Sequence, residues 1–326
     1  MDRISISSGL MTATLGQHIS DLRAQIGKTS TEATTGRYED LTLHLSGRIG
    51  KAMLGQKALT DLATDREVLS LRGSRLSLAQ SSLTRIQDST TGIAARMLSA
   101  AAGNHENDIS IASRDAKAAL SSTMSALNAR YGERFLFSGD ATASFPFGNP
   151  AELLSELEQI AQTSVDSNDF KTQIDDYFAS PTGGWQQNIY RGSTITSDPE
   201  GVNANHDAIR SVVRNLAVLA IAGPDSSLAT LDGYENLVEQ TALGLSTSEA
   251  AITNLRADLG VFEERIAAEL TSLDSEETIL TASFNQLTAR DQYEAASELQ
   301  SLQTTLEASY LITARLSQLS LLNYLG

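Results

Sequence analysis

The positions of the prolines constrain the fold of this chain more than any other feature of its sequence. All five prolines among the 326 residues lie between residues 146 and 224. A proline inside a helix costs about 3 kcal/mol, so the proline-free stretches 1–145 and 225–326 are typical of long helices. The segment between them is strongly acidic, because residues 151–245 hold fourteen acidic and four basic residues. The pattern predicts two helical flanks around an acidic insert.

Apolar residues in both flanks alternate spacings of three and four, as in helices that pack along one seam. The first row is Leu62, Leu69, Leu76, Ala79, Leu83, Ile86, Thr90, Ile93 and Met97. The next helix along the chain has a row that consists of Ile109, Ala112, Ala116, Ala119, Thr123 and Leu127. In the second flank, one helix over 246–290 has a row that consists of Ile252, Leu255, Leu259, Phe262, Ile266, Leu273, Leu280 and Leu287. We predict a mainly α fold, an elongated antiparallel helical bundle with terminal coiled-coil helices and a small mixed or α-rich insert domain.

Composition excludes several classes of function. The chain has no cysteine, so disulfides, cysteine-ligated zinc and thiol nucleophiles are absent. Its net charge of −16 argues against binding to nucleic acid or to anionic membranes, because both depend on Lys and Arg that neutralise phosphate. No run of 18 apolar residues is present to span a membrane. The N-terminal segment lacks the apolar core of a cleavable secretory signal, so we expect that any export leaves the N-terminus uncleaved.

No motif indicates catalysis or metal binding. The stretch HENDI, residues 105–109, begins like a metalloprotease motif, but Ile109 stands where the second zinc ligand is required. The stretch GRIGK, residues 47–51, resembles a phosphate loop but is too short, and Ala52 replaces the Ser or Thr that would hold magnesium. We therefore predict no enzyme, no catalytic residue, no cofactor and no metal site.

Each end of the chain carries a single amphipathic helix with no partner adjacent in sequence. The stripe of the first consists of Leu15, Ile19, Leu22 and Ile26, and that of the last begins at Ala295 and continues through Leu299, Leu302 and Leu306 to Leu316, Leu319, Leu322 and Tyr324. A lone helix of this kind is marginally stable in water. We expect both ends to be disordered in dilute solution and to become helical on assembly, packed against each other and against neighbouring subunits.

Three stretches of this chain resemble the bacterial flagellin family. They are the start, with Arg3, Ile4, Ser5, Met11, Ile19, Leu22, Gln25 and the turn TTGR at residues 34–37; the stretch YGERFLFSG at residues 131–139; and the end, SLLNYL, at residues 320–325. Within the family the likeness is closest to the hook-associated proteins of the hook-filament junction. The segment 37–50 departs from the family pattern, and its alternating Leu41, Leu43 and Leu45 predict a short extended segment.

The resemblance implies a structural subunit of the extracellular bacterial flagellum that joins hook to filament through coiled-coil assembly of its terminal helices. The alternative is flagellin, the filament subunit itself, and a soluble coiled-coil signalling protein is a third. The implied partners are copies of the same chain in a ring, a neighbouring hook-associated protein, flagellin, an export chaperone and the flagellar secretion apparatus. No nucleic acid and no membrane are expected as partners.

We divide the chain by role into an assembly helix at 1–45, bundle segments at 46–139 and 246–286, an insert at 140–245 and a second assembly helix at 287–326. The predicted assembly interface comprises Ile4, Leu15, Ile19, Leu22, Ile26, Leu299, Leu302, Leu306, Leu316, Leu319, Leu322 and Tyr324. We expect Phe135, Leu136 and Phe137 to plug the end of the bundle and Gly139 to release the chain into the insert. The insert, as an outward-facing domain, is expected to be dispensable for assembly.

Overall fold

The computed structural model describes residues 8–103 and 106–325, apart from the side chains of residues 8–12, 317 and 319–325. Helices, short 3-10 and π segments included, occupy 79% of the described residues, which confirms the mainly α class. The described helices are α1 Ser8–Thr35, α2 Leu41–Leu45, α3 Ile49–Thr90, α4 Ile93–Gly103, α5 Glu106–Leu127, α6 Pro150–Thr163, α7 Ser167–Ala179, α8 Asp207–Ala220, α9 Tyr234–Thr288 and α10 Gln292–Leu325. No described helix has both the length and the hydropathy needed to cross a membrane.

The chain divides into two compact units. One lies within residues 1–66 and 272–326, and the other comprises residues 67–271. Helices α3 and α9 each contribute to both units. The predicted five-part division by role in assembly stays a prediction.

The core of the 67–271 unit includes the insert. Helix α8 packs along α5, and Ser113 Oγ donates a hydrogen bond of 2.8 Å to the carbonyl of Ala220. Buried residues of the insert, among them Phe147 and Trp185, belong to the same continuous core as Leu83 and Leu120 of the bundle. Residues 140–245 therefore complete the core of the bundle, and this speaks against the expectation that they are dispensable.

The first predicted apolar row is buried, but it does not lie on one helix. Leu76, Ala79, Leu83, Ile86, Thr90, Ile93 and Met97 are all buried. However, α3 ends at Thr90 and α4 begins at Ile93, with Gly92 at a φ of +78°. The hydroxyls of Thr90 and Thr91 both donate to the carbonyl of Gln87, which competes with continuation of the helix. The row is continuous in its spacing, but the helix that carries it is interrupted at this point.

The segment 41–45 is helical, so the predicted extended segment is also wrong. Asp40 caps α2 by accepting a hydrogen bond of 2.9 Å from the backbone N–H of Leu43. Of the three leucines only Leu45 is buried, and Leu43 is 73% exposed. The local cap therefore outweighs the alternating pattern, since that pattern has no sheet to join.

The chain leaves the bundle through a hairpin. Helix α5 ends at Leu127, and strands β1 Arg130–Tyr131 and β2 Arg134–Phe135 pair antiparallel around a turn. The helix therefore ends about one turn before Tyr131, the first residue of the stretch YGERFLFSG.

Candidate assembly site

The two terminal helices pack against each other within one chain. Helices α1 and α10 run side by side in antiparallel directions, since Arg290 reaches Glu32 while Tyr310 meets Arg23. Leu22 and Ala295 are buried in the seam between them. The half-buried members are Leu15, Ile19, Ile26, Leu299, Leu302, Leu306 and Leu316. These positions on α1 and α10 are the ones predicted to meet.

Four predicted interface residues are not fully described. Ile4 lies outside the described residues. Leu319, Leu322 and Tyr324 lie on α10, but their side chains are outside the described set. The role of the whole predicted set in assembly stays a prediction.

A short backbone joint ties the end of α1 to the break between α9 and α10. Arg37 and Ala289 form an antiparallel β-bridge. The N–H of Arg290 donates to the carbonyl of Gly36 at 2.9 Å, and the N–H of Tyr38 donates to that of Thr288 at 3.4 Å. Gly36 has a φ of +67°, so the turn TTGR needs glycine here. The C-terminal end of α1 and the break between α9 and α10 therefore lie side by side.

A buried ion pair closes this joint. Arg290 donates through Nη1 to Glu32 and through Nη2 to Glu298. The Glu32 side chain is fully buried and that of Arg290 is 12% exposed. The other oxygen of Glu32 accepts a hydrogen bond of 3.0 Å from the N–H of Glu39. Because both charges are withdrawn from water, each depends on the other for compensation.

Aromatic rings flank the ion pair and the far end of the seam. The guanidinium of Arg290 lies 5.3 Å from the centre of the Tyr38 ring, which itself stacks on His44 at 3.6 Å between centroids. Further along, Arg23 Nε donates to the hydroxyl of Tyr310 at 2.9 Å. These polar contacts hold α1 and α10 together where little apolar surface is buried between them.

The stretch predicted to plug the bundle end places one side chain deep in the core. Phe137 is fully buried, whereas Leu136 and Phe135 are half-buried. Gly139 has a φ of +59°, and a Cβ there would lie 2.5 Å from the carbonyl oxygen of Ser193. The backbone of the insert therefore passes directly against this glycine.

The polar partners of that stretch were not predicted from the sequence. The carbonyl of Phe137 accepts a hydrogen bond of 2.9 Å from the N–H of Ala204. Tyr190 Oη donates to Asn203 Oδ1 at 2.6 Å, and burial raises the pKa of this phenol, partly offset by the bond to Asn203. Asp140 accepts from the N–H and the hydroxyl of Ser197, and these two bonds lower the pKa of its carboxyl.

The ion pair of Glu32 and Arg290 was missed as well. Glu32 stands among small polar residues in STEATT, and nothing in that stretch signals that it is buried. Among the described residues there is no cluster of three or more His, Asp or Glu side chains that could hold a metal ion. The chemistry of this site is packing, hydrogen bonding and charge pairing.

Comparison with known proteins links this part of the chain to one family. Residues 244–325, which span most of α9 and all of α10, match the family profile of the bacterial flagellin C-terminal helical region. The fold is similar to that of a solved structure described as a flagellar hook-associated protein of Vibrio parahaemolyticus, at 12% identity and a TM-score of 0.49, covering 74% of this chain and 97% of that one.

A second similar structure is FlgL of Bacillus cereus, at 13% identity and a TM-score of 0.36, covering 73% of this chain and 97% of that one. No curated protein sequence matches the chain. The profile match includes Arg290 and the whole α10 side of the seam, which are the residues that meet α1. The predicted resemblance to the bacterial flagellin family is thus confirmed over the C-terminal helical region, residues 244–325.

Proposed function

We propose that this protein is a structural subunit of the bacterial flagellum, an adaptor in the junction between hook and filament. The observation that carries the proposal is the pairing of α1 with α10, because α10 lies within the segment that matches the flagellin C-terminal region. The names of the two similar structures, a hook-associated protein and FlgL, agree with the junction role. On this proposal the protein acts by assembly and is not an enzyme.

The exposed side of the terminal pair supports assembly with other subunits. Tyr293, Leu311 and Ile312 of α10 are 85%, 64% and 53% exposed. Pairing with α1 therefore leaves apolar surface on α10 uncovered, and a neighbouring terminal pair would remove it from water. Burial of each such side chain contributes about 1.5–3 kcal/mol. A ring of copies in the wall of a tube is the arrangement that we propose.

Several partners belong to the proposal. The chain would contact a neighbouring hook-associated protein on one side and flagellin on the other. An export chaperone would cover the apolar C-terminal segment before assembly, and the flagellar secretion apparatus would export the chain without cleavage. Its location would then be the extracellular flagellum.

Labelling of isolated flagella tests the location. An antibody against the chain should mark one short zone at the base of each filament. Label along the whole filament, with thousands of copies, would favour the alternative that the chain is flagellin. Absence of the protein from flagella would contradict both.

Substitution in the seam tests the mechanism. Leu302→Asp with Leu306→Asp places two charges against α1 and should abolish incorporation into flagella, while the 67–271 unit keeps its helical circular-dichroism signal. The matched control is Ser301→Asp with Thr305→Asp, at exposed positions of the same helix. Normal incorporation of the seam variant would show that the pairing of α1 and α10 is not required.

A further inference from the structure

A cleft of about 520 Å³ lies between α7, α8 and α9 in the 67–271 unit. Its floor is apolar, because Phe170, Ile174, Val218 and Leu237 line it and each is less than a tenth exposed. Small-molecule sites in proteins are concave, mostly apolar and about 300–1,000 Å³ in volume. The cleft therefore has the size and the floor of a ligand site.

The back of the cleft is built where α8 and α9 approach each other closely. Asn215 Nδ2 donates a hydrogen bond of 3.0 Å to Ser248 Oγ, which donates to the carbonyl of Gly244 at 2.8 Å. A Cβ on Gly244 would lie 3.3 Å from Asn215 Nδ2, so a larger residue would crowd this contact. Because these bonds join the two helices directly, the back of the cleft keeps its shape without a ligand.

The rim of the cleft is basic, although it belongs to a strongly acidic part of the chain. Lys171 of α7 and Arg214 of α8 line the cleft, and they are two of only four basic residues in 151–245, against fourteen acidic ones. None of the described residues that line the cleft is acidic. A basic rim over an apolar floor is complementary to an anion that carries an apolar body.

The charges at the rim indicate a ligand with one negative charge. Arg214 pairs with Asp175 of α7, whose side chain is 47% exposed. Lys171 Nζ donates to an uncharged acceptor, Gln240 Oε1, at 3.2 Å. Lys171 and Asp175 are four residues apart on α7 and are therefore neighbours on one side of that helix. Two positive charges and one negative charge leave a net charge of +1, which one carboxylate would neutralise.

We propose that this cleft binds a small monocarboxylate with an apolar body, of the class of aryl-substituted short-chain acids. The carboxylate accepts hydrogen bonds from Lys171 Nζ and the guanidinium of Arg214, and the apolar body covers Phe170 and Leu237. Charge-assisted hydrogen bonds fix the acid group, while burial of the body supplies most of the affinity. This inference goes beyond the proposed function, since it gives the insert a ligand of its own.

Titration of the purified full-length chain with 3-phenylpropionate tests the cleft. In nuclear magnetic resonance spectra, the methyl signals of Ile174, Val218 and Leu237 should shift and reach saturation. Two matched compounds separate the parts of the ligand, because 3-phenylpropionamide lacks the charge and propionate lacks the ring. Each should bind about tenfold more weakly or less than that. Equal affinity of the acid and the amide, or no saturable shift up to the solubility limit, would overturn the inference.

Substitutions at the rim test the charges. Arg214→Gln and Lys171→Gln keep a polar side chain but remove one positive charge each, so each should weaken binding of 3-phenylpropionate about three- to tenfold. The control is Arg191→Gln, which removes a half-exposed arginine of the insert that does not line the cleft, and affinity should stay as in the wild type. Wild-type affinity in both rim variants would contradict the proposed role of the charges.

A bulky residue at the mouth tests the location and distinguishes a second copy as the occupant. Thr247 is exposed and lines the cleft, whereas Ser246 is exposed and does not. Thr247→Trp should abolish binding and Ser246→Trp should leave it intact, with the helical circular-dichroism signal kept in both. Self-association of the wild type that only Thr247→Trp removes, seen in sedimentation, would assign the cleft to a second copy and overturn the inference. None of these measurements depends on the location of the protein, so labelling of flagella remains a separate test of the proposed function.

Discussion

At the scale of single residues, substitution of two glycines distinguishes the energetic cost of a steric clash from the cost of a strained backbone. Gly132 and Gly139 both have a φ of +59°, but only Gly139 has backbone oxygens in the space of a Cβ, at 2.5 and 2.6 Å. Gly139→Ala should therefore lower the free energy of unfolding by about 3 kcal/mol or more. Gly132→Ala, the matched control, has nothing within 4 Å and should cost about 1–2 kcal/mol. Equal losses in urea denaturation would show that the contact of Gly139 with the insert is not formed.

Three tyrosines, Tyr177 and Tyr190, which are buried, and Tyr234, which is half-buried, make stability depend on alkaline pH. Burial raises the pKa of Tyr234 to about 12 and raises the pKa values of Tyr177 and Tyr190 further, all from an ordinary value of 10.0. The unfolded chain thus loses these protons first, so their stabilising contribution is complete below pH 10 and declines as pH rises toward the folded values. We expect denaturation midpoints to fall above pH 10, and Tyr234→Phe to make the fall less steep. An unchanged slope in that variant would contradict the assignment.

At the scale of elements, the terminal pair is held by few contacts. The described parts of α1 and α10 bury Leu22 and Ala295 as their only fully buried apolar residues, whereas α8 buries eight. Pairing in one chain does not test the expected disorder in dilute solution, which stays a prediction. We expect amide hydrogen exchange to be faster in α1 and α10 than in α8, because less apolar burial opposes local opening.

The ion pair of Glu32 and Arg290 should contribute much of the stability of the packing between α1 and α10. Arg290→Met leaves the fully buried Glu32 without its charged partner, at a cost of about 3–5 kcal/mol. Exchange in α1 and the first turns of α10 should then accelerate, while exchange in α8 stays unchanged. The control is Arg66→Met, whose side chain is half exposed and whose ion pairs are worth about 1 kcal/mol or less. Similar exchange in both variants would show that burial of the pair does not matter.

At the scale of the whole molecule, the insert and the bundle share one core. Leu216 of α8 is fully buried in it, so Leu216→Ala should cost about 2–5 kcal/mol. The loss should appear in α5 as well as in α6–α8, because residues 67–271 form one compact unit. Leu243→Ala, at a position 52% exposed, is the control and should have a small effect. Separate transitions for residues 67–139 and 140–245 would contradict the shared core.

The shared core also reverses an expectation based on the sequence. Joining residue 139 to residue 245 through a short linker would remove α8 and expose the buried side of α5. We therefore expect the shortened chain to lose the cooperative unfolding of the 67–271 unit in circular dichroism. A stable, cooperative shortened chain would restore the earlier expectation that the insert is dispensable.

Local spacing determined the helical flanks and their buried rows. The rows from Leu76 to Met97 and from Ala112 to Leu127 are buried as predicted, because a period of about 3.5 residues admits only one buried side. The family resemblance likewise rested on short local stretches. These properties follow from residues that are close together in sequence, so the sequence by itself was sufficient.

Contacts between distant residues were decided by the tertiary structure. The bond between Glu32 and Arg290 joins positions 258 residues apart. Nothing in the sequence around either residue predicts its partner. Proline content and charge separated the insert from the flanks, yet both are also compatible with helices whose apolar sides complete the bundle core. The break at Thr91 and Gly92 and the helix at Leu41–Leu45 depend on side-chain bonds to the backbone, which compete closely with the pattern. Only the folded arrangement shows which of these nearly equal local choices is stabilised.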